Sequence, residues 1–155
     1  MLRRFGVARD DAEDAAQEVF WIAARRLTDI KQGSERSFLF GTAIRVAAEA
    51  RRKHSQSREY ALPEPLEAAV AETNPEALVA TKLALTLVDQ VVGGMDDGVR
   101  EVFVLFELEG IEIKEIAQLM QIPIGTVGSR LRKARQQFSK RAAQLRARLG
   151  LEGMS

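Results

Sequence analysis

The residues best suited to binding chemistry lie between Thr126 and Gln136. Val127, Leu131, Ala134 and Phe138 recur at helical spacing, and a wheel drawn through them puts Ser129, Arg132, Lys133 and Gln136 on the opposite face. Those are types that bond to base edges or to phosphate oxygens. Thr126 stands at the helix start, where backbone N–H groups and the helix dipole favour a phosphate. Arg130 and Arg135 flank the face, and Gly128 leaves part of it bare. From Ile116 to Gly150 there is no acidic residue, while Arg130, Arg132, Lys133, Arg135, Lys140, Arg141, Arg146 and Arg148 are basic. The plain alternative is a solvated basic helix in an ordinary bundle, but such helices usually mix signs.

A second helix must hold that face. Ile113, Ile116, Ala117 and Met120 supply one at the right spacing, with a tight turn after it. Pro123 suits the first turn of the following helix. Ala117 is small enough for the crossing point. The pair reads as a helix-turn-helix whose second helix is free to enter a major groove.

Composition narrows the chemistry. The chain has 155 residues, 46 % of them hydrophobic, with 4 Pro, 1 His and no Cys. That suits one or two small helix-rich domains. Disulfides, thiolate metal sites and cysteine nucleophiles are excluded, and a multi-histidine site has nothing to build on. The carboxylates cluster on helix starts without a pocket signature, so no enzyme and no cofactor is expected. No apolar run approaches the ~20 residues of a membrane span, so a cytoplasmic location without membrane insertion is expected.

The net charge of +1 averages over segregated blocks. Asp10, Asp11, Glu13, Asp14 and Glu18 make an acidic start, and Arg25 to Arg58 is mostly basic. Glu59 to Glu76 holds five Glu and no Lys or Arg, and the tail is basic again. Alternating blocks suggest basic surfaces for nucleic acid and acidic ones for protein. Asp10 or Asp11 is expected to cap a helix running to about Leu27, with Ala12, Ala15 or Ala16, Val19, Ala23 and Leu27 as its inner stripe. Asp14, Gln17, Glu18 and Trp21 fall off that stripe, a plausible protein-docking face. Ser34 is expected to cap a helix from Glu35 to about Lys53, with Phe38, Leu39, Thr42, Ala43, Val46, Ala47 and Ala50 inward. Its far end carries Arg51, Arg52 and Lys53, with Arg45 one to two turns earlier, as a basic strip for a nucleic-acid strand. His54 to Asn74 reads as a linker that could hold a helical turn at Leu66–Val70. Asn74-Pro75-Glu76 starts another helix, Gly93-Gly94 end it, and Asp96 is expected to cap the next, which Gly110 stops. In that helix Val99, Val102, Phe103 and Phe106 are expected to face inward.

Two motifs then carry a family resemblance. Ala12-Glu13-Asp14-Ala15-Ala16-Gln17-Glu18-Val19-Phe20, followed by Ser37-Phe38-Leu39-Phe40-Gly41-Thr42-Ala43 and Arg51-Arg52-Lys53, resembles region two of extracytoplasmic-function (ECF) sigma factors. Arg100-Glu101-Val102-Phe103-Val104-Leu105, Glu109-Gly110, Glu115-Ile116-Ala117 and Ile122-Pro123-Ile124-Gly125-Thr126-Val127-Gly128-Ser129-Arg130-Leu131 resemble region four. The resemblance implies an all-α fold of two small helical domains joined by a flexible acidic linker, the C-terminal one a four-helix helix-turn-helix domain. Residues 1–53 would be region two, 54–75 the linker and 76–150 region four. It further implies a non-enzymatic factor that binds core RNA polymerase through Asp14, Gln17, Glu18 and Trp21 and directs transcription initiation. The minus-ten region of promoter DNA would meet Arg45, Arg51, Arg52 and Lys53. The minus-thirty-five element would meet Thr126, Gly128, Ser129, Arg130, Arg132, Lys133 and Gln136. An anti-sigma factor is a further expected partner. The family commonly has Gly in the turn where Gln121 stands, and a left-handed backbone there would cost this residue about 1–2 kcal/mol. The family usually carries another helix before the acidic motif. Region two is therefore expected to be shortened here, with apolar residues such as Val19 and Phe38 uncovered. The rival readings are a helix-turn-helix regulator acting without polymerase and a truncated sigma relative.

Overall fold

Among the described residues six α-helices carry the hydrophobic periodicity into space: α1 Ala12–Arg25, α2 Glu35–Ser57, α3 Pro75–Gly93, α4 Asp97–Phe103, α5 Ile113–Met120 and α6 Ile124–Arg148. The structure is a computed structural model. It describes the backbone of residues 1–57 and 75–148, and their side chains except at 57 and 75–83. No strand occurs among the described residues. Asn74, Leu66–Val70 and the rest of the expected linker beyond Ser57 lie outside them.

α1 buries Ala15, Val19 and Ala23, as its spacing predicts, and carries Glu13 and Asp14 in its dipole-favoured first turn. It stops at Arg25, so Leu27 leaves the inner stripe and is exposed. Asp11 occupies the N-cap position but its side chain makes no cap bond. Its Oδ2 lies 2.8 Å from Nδ1 of His54 instead. Ser34 also differs from expectation: its hydroxyl donates to the Lys31 carbonyl at 2.7 Å, and the Glu35 carboxylate reaches back to the Gly33 N–H at 3.0 Å. α2 continues past Lys53 to Ser57, supported by the Glu49–Lys53 pair and by His54 on Asp11.

Phe5 and Val7 are buried in one cluster with Val19, Phe40, Ala43 and Ala47 of the first two helices. The same cluster takes in Val102, Leu105, Ile116 and Val127. Val19 is therefore covered rather than uncovered, and Phe38 is half-buried. Gly6 has φ +86°, and a Cβ there would meet the Arg100 guanidinium, so this turn favours glycine.

Asp96 takes the N-cap position of α4 without a side-chain cap bond, because its carboxylate is drawn to Lys133 Nζ at 2.8 Å. α4 buries Val99, Val102 and Phe103 and then widens into a π-helical stretch, Val104–Leu108, closed by Glu109 N–H on the Val104 carbonyl at 3.0 Å. The extra residue per turn keeps Val104 and Leu105 buried and leaves Phe106 half-buried. Gly110 (φ +68°) then reverses the chain into α5.

α5 ends on Gln121, which adopts the left-handed conformation (φ 54°, ψ 44°). The Ile122 N–H returns to the Ala117 carbonyl at 3.0 Å, and the Thr126 N–H to the Pro123 carbonyl at 2.9 Å. Pro123 thus stands just outside α6 rather than inside it. α6 buries Val127, Leu131 and Ala134 against α4, and Phe138 stacks on Phe103 with ring centroids 5.2 Å apart. Burying each large side chain of this seam contributes roughly 1.5–3 kcal/mol. Gln121→Gly removes the left-handed strain and should stabilise the protein by about 1 kcal/mol after the glycine's extra chain entropy is subtracted. Urea denaturation checks this, and an unchanged or lower midpoint contradicts it.

Candidate nucleic-acid interface

Burial of the α6 seam fixes which side chains point out. Ser129, Arg132, Lys133 and Gln136 are exposed, and Thr126, Gly128 and Arg130 are partly so. The expected set therefore shares one helix, its members ranged from the exposed face to its flank. The structure sorts it further by partner. Lys133 pairs with Asp96, and Arg135 donates to Glu107 at 2.7 Å while lying 5.5 Å over the Phe106 ring. The Ser129 hydroxyl donates to the Thr126 carbonyl at 3.0 Å. The Arg130 guanidinium lies over Gly98, where a Cβ would come within 2.8 Å of it. Among the described residues no hydrogen bond or ion pair engages the Arg132 or Gln136 side chain, so both present free donors. A Cβ at Gly125 or Gly128 would meet nothing within 4 Å. The first turns of α6 thus offer a bare backbone to whatever the helix enters.

The second expected nucleic-acid surface is split. Arg45, Arg52 and Lys53 are exposed, Lys53 being paired only with Glu49 on its own helix at 3.1 Å. Arg51 is different. Its side chain is 15 % exposed, with Nη2 2.8 Å from Glu101 Oε1 and Nη1 donating to the Phe5 carbonyl. Its Nε lies 3.2 Å from Asp97 Oδ2, an ion-pair distance without hydrogen-bond alignment. Asp97 also holds Arg100, whose Nη1 donates to the Gly93 carbonyl at 3.4 Å. Arg51 is thus turned inward, onto α4.

Other polar contacts join the same halves of the chain. Arg4 Nε lies 3.0 Å from Asp89 Oδ1, Arg36 donates to the Glu109 carbonyl at 2.6 Å, and Ser37 donates to Glu115. Asp14, Gln17, Glu18 and Trp21 all stand exposed on α1, as expected for a docking face. Trp21 is 63 % and its neighbour Phe20 67 % exposed, and Arg25 lies 5.8 Å over the Trp21 ring. Two large exposed aromatics among carboxylates make a surface suited to a protein partner.

Residues 85–138 match the family model for sigma-70, region 4. The chain is similar to the ECF RNA polymerase sigma-E factor of Escherichia coli, 30 % identical over 148 residues that cover 90 % of this chain and 78 % of the relative. The chain belongs to the ECF sigma factor family. The ECF sigma factor SigE of Mycolicibacterium smegmatis is 28 % identical over 129 residues, covering 83 % of this chain and half of that protein. In fold, this sigma factor is similar to the Bartonella quintana sigma factor RpoE, solved in complex with the anti-sigma factor NepR. The TM-score is 0.75 at 20 % identity, over 90 % of this chain and 86 % of that one.

Sequence reasoning missed the inward turn of Arg51 in this sigma factor and the acids that hold it. Asp97 and Glu101 look like ordinary helix carboxylates, and their partner is 50 residues away from Glu101 in sequence. Arg36, which also lies 5.3 Å over the Phe40 ring, gave no signal either. Among the described residues no group of three or more His, Cys, Asp or Glu could hold a metal, and no helix is long and apolar enough to cross a membrane.

Burial pushes the Glu101 carboxyl above its usual 4.5, with the Arg51 hydrogen bond pulling the other way, and burial lowers Arg100. The folded state therefore binds the Glu101 proton more tightly than the unfolded one, so this group's contribution falls as pH rises. Stability of the wild type relative to Glu101→Gln should decrease as pH climbs from the ordinary glutamate range through the raised value, then level off. Denaturation midpoints at stepped pH check this; parallel curves contradict it.

Proposed function

We propose that this sigma factor directs core RNA polymerase to promoters through a two-point grip. α1 docks on the polymerase with Asp14, Gln17, Glu18 and Trp21, and α6 reads the minus-thirty-five element from the face opposite its buried seam. The observation that carries the reading is that face: Arg132 and Gln136 exposed and without partners among the described residues, on the helix that follows the turn. Arg132 is suited to base-edge contact, and Thr126, Gly128 and Ser129 to close approach at the helix start. Arg130 and Lys133 flank the face as phosphate contacts, Lys133 after release from Asp96. Residues 1–53 and 76–150 act as the two binding halves. Arg45, Arg52 and Lys53 are the available contacts for the minus-ten region.

The chain makes and breaks no bond in this scheme; the polymerase does the chemistry in the cytoplasm. An anti-sigma factor is the proposed regulator, supported by the fold's likeness to a sigma factor solved with one. The test is transcription by purified core polymerase on fragments of the source genome, with and without this chain. New start sites should depend on the chain. Arg132→Ala should lower their use about tenfold, the scale of one lost base contact, and Lys133→Ala should lower it less, because that lysine must first leave Asp96. Duplex binding by the chain alone, with no new transcripts, would instead point to a regulator that works without polymerase.

A further inference from the structure

Resting on the two-point reading above, we propose that Asp97 and Glu101 of α4 act as an internal competitor for nucleic-acid phosphate at Arg51. The closed packing withholds this one arginine from DNA until the two halves separate. A guanidinium's planar fork of donors matches carboxylate and phosphate in the same way, so one occupant excludes the other. Arg51 gives Nη2 to Glu101 at 2.8 Å and Nη1 to the Phe5 carbonyl, and Asp97 stands at ion-pair distance, 3.2 Å, from its Nε. The carboxylates come from one half of the chain and the arginine from the other.

The arrangement is selective. Arg52 and Lys53 follow Arg51 directly and remain exposed, and Arg45 is exposed further along the same helix. A structural need for positive charge at the end of α2 would be met by any of them. Only Arg51 faces α4, and it lies among buried groups: the Glu101 side chain is 8 % exposed and that of Arg100 7 %. Buried ion pairs add little net stability compared with apolar residues of similar size, and their best-attested use is to set a register or a switch. The contact between the halves carries further polar pairs, in Arg4–Asp89, Arg36 on the Glu109 carbonyl and Ser37 on Glu115, beside the apolar cluster that joins Phe5 and Phe40 to Val102 and Leu105. Removing the acids leaves Arg51 as an uncompensated charge at this contact, which destabilises the packing that buries it.

Because the competitor and the phosphate share a guanidinium, substitutions on the two sides of the clasp have opposite effects on DNA. Three full-length variants are compared: Asp97→Asn with Glu101→Gln, Arg51→Gln, and all three changes together. Each is titrated with a mixed-sequence 20-nucleotide single strand across a series of salt concentrations. Separation of the halves is followed by energy transfer between dyes on cysteines placed at the exposed Gln56 and Gln90, which the absence of native cysteine permits.

The acid-side double variant should open the pair and bind the strand at least threefold tighter. Its salt dependence should be steeper by about 0.7 in log–log slope, the value for one added phosphate contact on a single strand. Arg51→Gln should open the pair without that gain, and the triple variant should lose the gain. A gain that persists in the triple variant would be a bulk charge effect and overturn the proposal. So would a double variant that stays closed. A double variant that opens without binding tighter overturns it too, and removes Arg51 from the minus-ten surface, while leaving the α6 reading to its own transcription test.

Discussion

The burial of the α6 seam against α4 is the constraint on which the rest of the structure depends. Val127, Leu131 and Ala134 are buried, and Phe138 stacks on Phe103, so the helix has a fixed rotation about its own axis. That rotation decides that Ser129, Arg132 and Gln136 look outward. It also brings Lys133 to Asp96 and Arg135 to Glu107, fastening the two ends of the α4 region to the same helix. A recognition face is only as well aimed as the seam behind it. The π-helical widening at Val104–Leu108 belongs to this constraint, because it lets Val104 and Leu105 stay buried where the chain turns towards α5.

The second organising feature is how charge is divided between use and storage. Several cations that sequence reasoning assigns to nucleic acid are engaged inside the molecule. Lys133 and Arg135 have exposed acidic partners, which water and salt weaken easily. Arg51 is itself mostly buried and holds a buried partner in Glu101 beside the exposed Asp97, and the buried pair does not yield to salt alone. In the proposed scheme the exposed pairs exchange for phosphate as the helix meets DNA, whereas Arg51 requires a movement of whole elements. The near-zero net charge of the chain therefore conceals a set of internal contacts that compete with the external ones.

Much of this was legible in the sequence because it is local. The helices of the described residues, the helix-turn-helix and the inward set of α6 all follow from spacing and turn chemistry within a few residues, and the left-handed Gln121 from the family's pattern at that turn. The exposed face of α1 with Asp14, Gln17, Glu18 and Trp21 follows in the same way. What was not legible depends on distance along the chain. Asp11, Ser34 and Asp96 read as capping residues, yet each spends its side chain elsewhere, two of them on remote partners. Val19 was expected to be uncovered, but it joins a cluster with Phe5 and Val7 and with residues from the other half of the chain. Arg51 reads like Arg52 and Lys53, and only the packing of α2 beside α4 separates it from them.

The central claim is that one chain holds polymerase and DNA at two separate points. The most direct measurement places a photo-crosslinking residue at Arg132 in one protein and at Arg52 in another, each assembled with core polymerase on a promoter that the chain activates. The account predicts crosslinks to two distinct DNA segments, the α6 probe in the minus-thirty-five element and the α2 probe in the minus-ten region, the latter dependent on polymerase. Crosslinks from both probes to one segment, or an α6 crosslink alone that is indifferent to polymerase, would contradict it.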